Sequence, residues 1–101
     1  MRNDVITLIS RTYTKDEYGV QKPTEVSRQV YCDVTSIRAA EHFEGRAAGL
    51  NPELRFVLFA YDYQGEDIVE HNGERYSVYR TYRTKNDTIE LYTERKGGTN
   101  G

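Results

Sequence analysis

The stretch Asp67-Ile68-Val69-Glu70-His71-Asn72-Gly73-Glu74-Arg75-Tyr76-Ser77-Val78-Tyr79-Arg80-Thr81-Tyr82-Arg83 decides the fold class. Two runs of strand-forming residues flank Asn72-Gly73. That dipeptide is the strongest short-range hairpin signal, because a type I′ turn needs a positive φ at both central residues. A two-residue loop sets His71 opposite Glu74 and Val69 opposite Tyr76. Downstream, Lys85-Asn86-Asp87-Thr88 turns into Ile89-Glu90-Leu91-Tyr92. With Asn86-Asp87 as the loop, Arg83 lies opposite Glu90 and Tyr82 opposite Leu91, a charge pair and an aromatic–aliphatic pair. The outcome is a three-stranded meander in a chain that is mostly β.

The segments upstream extend this pattern. Residues 4–14 open with Val5, Ile6, Thr7, Leu8 and Ile9 and predict a strand. Lys15-Asp16-Glu17-Tyr18-Gly19 predicts a turn. Residues 20–24 predict a short second strand that Pro23 stops. Residues 26–37 predict a better one, with Val26, Arg28, Val30, Cys32, Val34 and Ser36 on one face and Gln29, Tyr31, Asp33 and Thr35 on the other. Residues 54–60 resume a strand, strongly apolar through Phe56, Val57, Leu58 and Phe59.

Between these strands, residues 36–50 are rich in alanine and charge. Ala40, Phe43, Ala47 and Leu50 form one helical stripe. Gly45 interrupts it at a cost of about 1 kcal/mol relative to alanine. Gly49 suits the residue just past a helix, with Pro52 as a stop beyond it. Short strands with one helical or loop insertion predict a mainly β chain, a small antiparallel β-barrel or sandwich. One domain spans residues 1–96, the insertion residues 36–53, and a flexible glycine-rich tail residues 97–101.

The 101 residues carry a net charge of −2, with 30% of them charged. Surfaces are therefore solvated and mixed in sign, which argues against tight nucleic-acid binding but not against a wall that DNA slides past. Cys32 is the only cysteine, so no internal disulfide forms, in keeping with a reducing compartment or a virion. No apolar run approaches the roughly 18 residues of a membrane span. The start, Met1-Arg2-Asn3-Asp4, lacks a signal-peptide apolar region.

Candidate chemistry is sparse. Cys32 with His42 or His71 as base matches no nucleophile signature, and mid-strand Cys32 reads as a small core hydrophobe. Glu41, His42 and Glu44 are too close in sequence to share one helix face, and Glu70 and His71 point to opposite sides of a strand. Glu66-Asp67 follow Gly65 and read as solvated turn residues rather than paired acid–base carboxylates. No catalytic, metal or cofactor site is expected. The run from Arg75 to Arg83 interleaves aromatics with arginines, as a nucleic-acid platform does. Its candidate contacts are Arg75, Tyr79 and Arg83. The alternative is a central strand whose arginines meet acids such as Glu90 and Glu70. In either case Tyr76, Val78 and Tyr82 read as the core side, and Arg80 needs a β-bulge between Val78 and Tyr82 to turn it outward.

Three segments together carry a family resemblance: Asp-Tyr-Gln-Gly-Glu-Asp-Ile-Val at 62–69, Asn-Gly-Glu-Arg-Tyr-Ser-Val-Tyr-Arg-Thr-Tyr at 72–82 and Asp-Thr-Ile-Glu-Leu-Tyr at 87–92. Upstream stands Glu-His-Phe-Glu-Gly-Arg-Ala-Ala-Gly-Leu-Asn-Pro-Glu at 41–53. In order and spacing the chain resembles the small head-closure, or head–tail adaptor, proteins of long-tailed bacteriophages and prophages. The resemblance implies a non-enzymatic virion protein assembled in the bacterial host cytoplasm. It implies a dodecameric ring of copies between a portal-bound adaptor and a tail protein, with packaged DNA passing through without sequence-specific contact. It also implies that the segment at 41–53 points toward the channel. Glu41, His42, Phe43, Arg46, Leu50 and Asn51 are then the candidate contacts to a neighbouring copy or partner. The other reading of this segment is a connector packed on the barrel by Phe43 and Leu50.

Overall fold

A computed structural model describes residues 4–95 of the chain. The expected glycine-rich tail at 97–101 lies outside the described residues, as do Met1, Arg2 and Asn3. The strands are β1 (Asp4–Lys15), β2 (Gln21–Ser36), β3 (Pro52–Phe59), β4 (Ile68–His71), β5 (Glu74–Arg83) and β6 (Thr88–Arg95). Helix α1 (Ala39–Ala47) joins β2 to β3, and a 3₁₀ turn (Ala60–Asp62) follows β3. All pairings are antiparallel, and the strands close into a barrel in the order β1-β2-β3-β6-β5-β4. Closure removes the exposed edges an open sheet of this size would carry. The alternating inward residues Ile6, Leu8, Val30, Cys32, Phe56, Leu58, Val69, Tyr76 and Leu91 form the core. Phe56 meets the rings of His71 and Tyr76 edge-on at 5.6 and 5.9 Å.

The first hairpin forms as its sequence predicts. Asn72 and Gly73 sit at φ 51° and 80°, with Val69 opposite Tyr76 and His71 opposite Glu74. The second differs by one residue: Arg83 pairs with Ile89 and Tyr82 with Glu90. The Thr84 N–H donates to Thr88 O at 2.9 Å, which leaves Lys85-Asn86-Asp87 as a three-residue loop. Asp87 takes the left-handed position at φ 60°. The Thr84 and Thr88 hydroxyls lie 2.6 Å apart, and Thr84 Oγ1 also accepts from the Asn86 N–H. These hydroxyl contacts select the longer loop, and a count of turn residues does not reveal them.

A register shift between Val78 and Arg80 supplies the bulge that Arg80 requires. It also reverses the facing of the rest of β5. Tyr76 is buried and Val78 packs against the core, as expected. Tyr82, expected on the core side, is instead 55% exposed, because beyond the bulge it follows Arg80 outward.

Pro23 does not interrupt β2. It pairs with Tyr13 inside a continuous 16-residue strand. β3 pairs with β2 only from Asp33 to Ser36, so on the side of β2 away from β1 no strand requires the missing N–H of Pro23. Likewise β4 pairs with β1 only at Thr7, Leu8 and Ile9. From the Ser10–Val26 rung to the Lys15–Gln21 rung, β1 and β2 therefore form a two-stranded ribbon with no third strand on either side. Val26, which alternation places on the core face of β2, is exposed because it lies on this ribbon.

Candidate functional site

Helix α1 is tied to the barrel through Glu41 and Gly45 and through Asn51 in the link that follows it. Glu41 Oε2 accepts from the Tyr79 hydroxyl at 2.9 Å, and Glu41 Oε1 accepts from Arg80 Nη2 at 2.6 Å. Gly45 is buried, and a Cβ there would lie 2.4 Å from Pro52 Cγ. The Asn51 N–H donates to Glu94 Oε1 at 3.2 Å. The helix ends as predicted, with Gly49 at φ 87°. Leu50 N–H donates to Gly45 O and Gly49 N–H to Arg46 O, the double closure of a Schellman motif.

The inward side of the helix is thus Glu41 and Gly45, one turn apart, not the apolar stripe. Ala40, Phe43 and Ala47 are exposed, and Phe43 is 76% accessible. The connector packed by Phe43 is accordingly corrected: a salt bridge, a glycine and a proline seat the helix. Gly45 does not loosen the segment but permits its close approach. Of the six candidate contacts, Glu41 is committed inward and His42 and Leu50 are half-buried, while Phe43, Arg46 and Asn51 are exposed.

Beside α1 the outer faces of β3, β5 and β6 form a groove of about 340 Å³ lined by Arg38, Arg55, Arg80, Tyr82, Glu90 and Tyr92. Arg80 lies over the Tyr92 ring at 3.9 Å from its centroid. Arg55 Nε donates to Thr35 Oγ1 at 2.8 Å, and its Nη1 lies 3.7 Å from Glu90 Oε1. The Tyr92 hydroxyl donates to Glu90 at 2.7 Å. Burial alone would push the Glu41 carboxyl up, but hydrogen bonds from Arg80 and Tyr79 hold it below its usual range. Burial and the same carboxylate push the Tyr79 phenol up, so Tyr79 stays a donor. Sequence reasoning missed Arg38, Arg55 and Tyr92, which come from separate segments. The available signal was the outward register shared by Arg55, Glu90 and Tyr92.

Arg75, Tyr79 and Arg83 do not form one face. Arg75 points outward before the bulge and binds Glu25 through both terminal nitrogens, at 3.0 and 3.1 Å, with Glu70 at 3.5 Å. Hydrogen bonding from Arg75 holds the Glu25 carboxyl below its usual range. The Tyr79 hydroxyl is committed to Glu41. Arg83, shifted past the bulge to the other face, lies at the exposed rim 3.6 Å from Asp87.

Glu66 also departs from its expected place. Asp67 is exposed, but Glu66 is 5% accessible. Arg28 reaches it from β2, donating from Nε at 3.0 Å and Nη2 at 2.6 Å, and donates to Asp62 O at 2.7 Å. The Gln64 N–H donates to Glu66 Oε1 at 2.8 Å. Burial would raise this carboxyl; the guanidinium and the backbone donor outweigh burial and hold it low. The turn is a part-buried clasp on the barrel wall, with Glu66 as its buried member. Cys32 is fully buried in the core, and His71 packs on Phe56 with Nε2 3.7 Å from Asp4. Among the described residues no group of three or more His, Cys, Asp or Glu is placed to hold a metal ion, and no helix is long and apolar enough to cross a membrane.

No protein-family model and no curated protein matches the chain. The solution structure of protein SF1141 from Shigella flexneri 2a shares its fold, with a TM-score of 0.74 over 94% of this chain and 93% of that one at 14% identity. At that identity the likeness concerns the fold alone.

Proposed function

We propose that the protein is a structural head–tail connector of a tailed phage or prophage, a head-closure or adaptor subunit that assembles with copies of itself to retain DNA and dock the tail. The sequence resemblance over residues 41–53 and 62–92 supports this reading. The observation that carries it is the surface the barrel leaves unpartnered. A two-stranded ribbon projects with Tyr13, Tyr18 and Val20 exposed, and α1 turns Phe43 outward. Single exposed apolar side chains are ordinary. A projecting ribbon together with an outward helix, each carrying large apolar side chains, supports the reading of an assembly subunit. The nucleic-acid reading is the weaker one, since Arg75, Tyr79 and Arg83 do not share a platform and each meets a carboxylate of the chain itself.

The test is deletion of the gene from the producing phage or prophage, followed by electron microscopy of the particles. The expected result is capsids without tails that lose packaged DNA. Tailed, DNA-filled particles in normal yield would refute the proposal.

A further inference from the structure

The projecting ribbon ends in a built tip. The Asp16 carboxylate accepts from the N–H groups of Tyr18 and Val20, both at 2.9 Å. Gly19 closes the turn at φ 80°, with its N–H donating to Asp16 O at 3.0 Å. Glu17 and Tyr18 are thereby held at the outermost point, with Tyr18 83% exposed. Two-stranded ribbons are marginal in water on their own. This one spends no apolar side chain at its tip on the barrel that carries it.

The arginine groove has the complementary character. Arg55 and Arg80 have carboxylate partners, but among the described residues Arg38 has no ion pair and no side-chain hydrogen bond, although it lines the groove. A volume of about 340 Å³ stands near the lower end of the ~300–1,000 Å³ of small-ligand sites and admits one aromatic side chain. Its walls, Tyr82, Tyr92 and guanidinium planes, suit a tyrosine ring, and Arg38 suits a carboxylate beside it. The two features face apart. In the order β1-β2-β3-β6-β5-β4, β6 stands directly across the barrel from β1. The groove centres on β6, and the ribbon begins on β1 and β2. A tip carried by the opposite wall is placed to meet the groove of another copy, and a contact between unlike patches repeats head to tail and closes a ring when the rotation permits.

We infer that the ribbon tip of one copy inserts into the arginine groove of the next, with Tyr18 among Tyr82, Tyr92 and Arg80 and with Glu17 on Arg38. The contact rests on the connector reading and supplies its ring with a specific joint. One tip buries far less than the roughly 1,000 Å² of a stable pairwise interface, so the joint acts within a many-membered ring on the capsid.

The experiment is a charge exchange scored in phage carrying E17R, R38E or both, with the melting temperature of each purified variant as the folding control. Each single variant folds like the parent and lowers the yield of tailed, DNA-filled particles about tenfold or more, through like charges at the joint. The double variant recovers most of that yield. In assembled particles, Tyr18→Cys with Tyr82→Cys gives a ladder of cross-linked copies that neither single variant gives. Normal yield with E17R would overturn the inference. So would a double variant no better than the singles, or a defect from R38E alone, which would assign the groove to a foreign acidic partner. In each of these cases the gene-deletion phenotype still stands and keeps the connector reading separate.

Discussion

Gly45 of helix α1 lies so close to Pro52 of β3 that a methyl group at position 45 would come within 2.4 Å of the proline ring carbon Cγ. Replacing a helical glycine with alanine ordinarily stabilises by about 1 kcal/mol. Here the sign reverses, because the Pro52 ring is rigid and fully buried. Gly45→Ala is expected to lose about 1–3 kcal/mol, the usual cost of overpacking, and to lower the melting temperature by several degrees. A raised melting temperature would show that the helix is not seated on Pro52.

The Arg28–Glu66 clasp predicts both a mutational loss and a pH dependence. Leaving the nearly buried Glu66 carboxylate without its main donor is costly, but the Arg28 side chain is 32% exposed, so Arg28→Ala is expected to destabilise by about 1–3 kcal/mol at neutral pH. Glu66 has a folded-state pKa below its unfolded value of 4.5. Its contribution is therefore present above about pH 4.5 and is lost as the pH falls through the lower, folded value. Glu66→Gln differs most from the parent at pH 7, and the gap narrows as the pH falls below 4.5. Chemical denaturation across that range measures the gap; a gap that widens on acidification contradicts the clasp.

Much of this architecture was legible in the sequence, and the exceptions share a cause. Local chemistry fixed the Asn72-Gly73 hairpin, the Gly49 helix end and the need for a bulge near Arg80, since each depends on one or two residues. The later hairpin slipped by one rung because its loop length depends on hydroxyl contacts between Thr84 and Thr88. Tyr82 was misplaced because a bulge reverses every side chain after it. The stripe of Ala40, Phe43 and Ala47 was a real helical period aimed the wrong way. Which side of a helix meets the barrel was decided by Glu41, Tyr79 and Arg80 across nearly forty positions of chain, and nothing local records that. Glu66 was likewise buried by a partner 38 residues away.

The Asn72-Gly73 turn gives a prediction that isolates backbone strain. A Cβ at Gly73 would meet nothing within 4 Å, yet the residue stands at φ 80°. Gly73→Val is expected to destabilise by more than the ~0.5 kcal/mol of an ordinary surface change, wholly through that conformation. An unchanged melting temperature would rule out the type I′ turn.

Phe43 separates stability from assembly. It is exposed and outside the core, so Phe43→Ser should shift stability by no more than about 0.5 kcal/mol. If the outer face of α1 meets a partner, the variant still yields a folded subunit but fewer tailed particles. Full particle yield would free this face from any role in assembly, whereas an unfolded variant would return Phe43 to the core.

The connector reading is tested most directly by adding the purified protein to DNA-filled heads from a phage lacking its gene and imaging the portal vertex by cryo-electron microscopy. The account predicts a ring of added subunits at that vertex, retained DNA and restored joining of separately supplied tails. Heads that gain no density at the vertex and still refuse tails, with folded protein in excess, would contradict it.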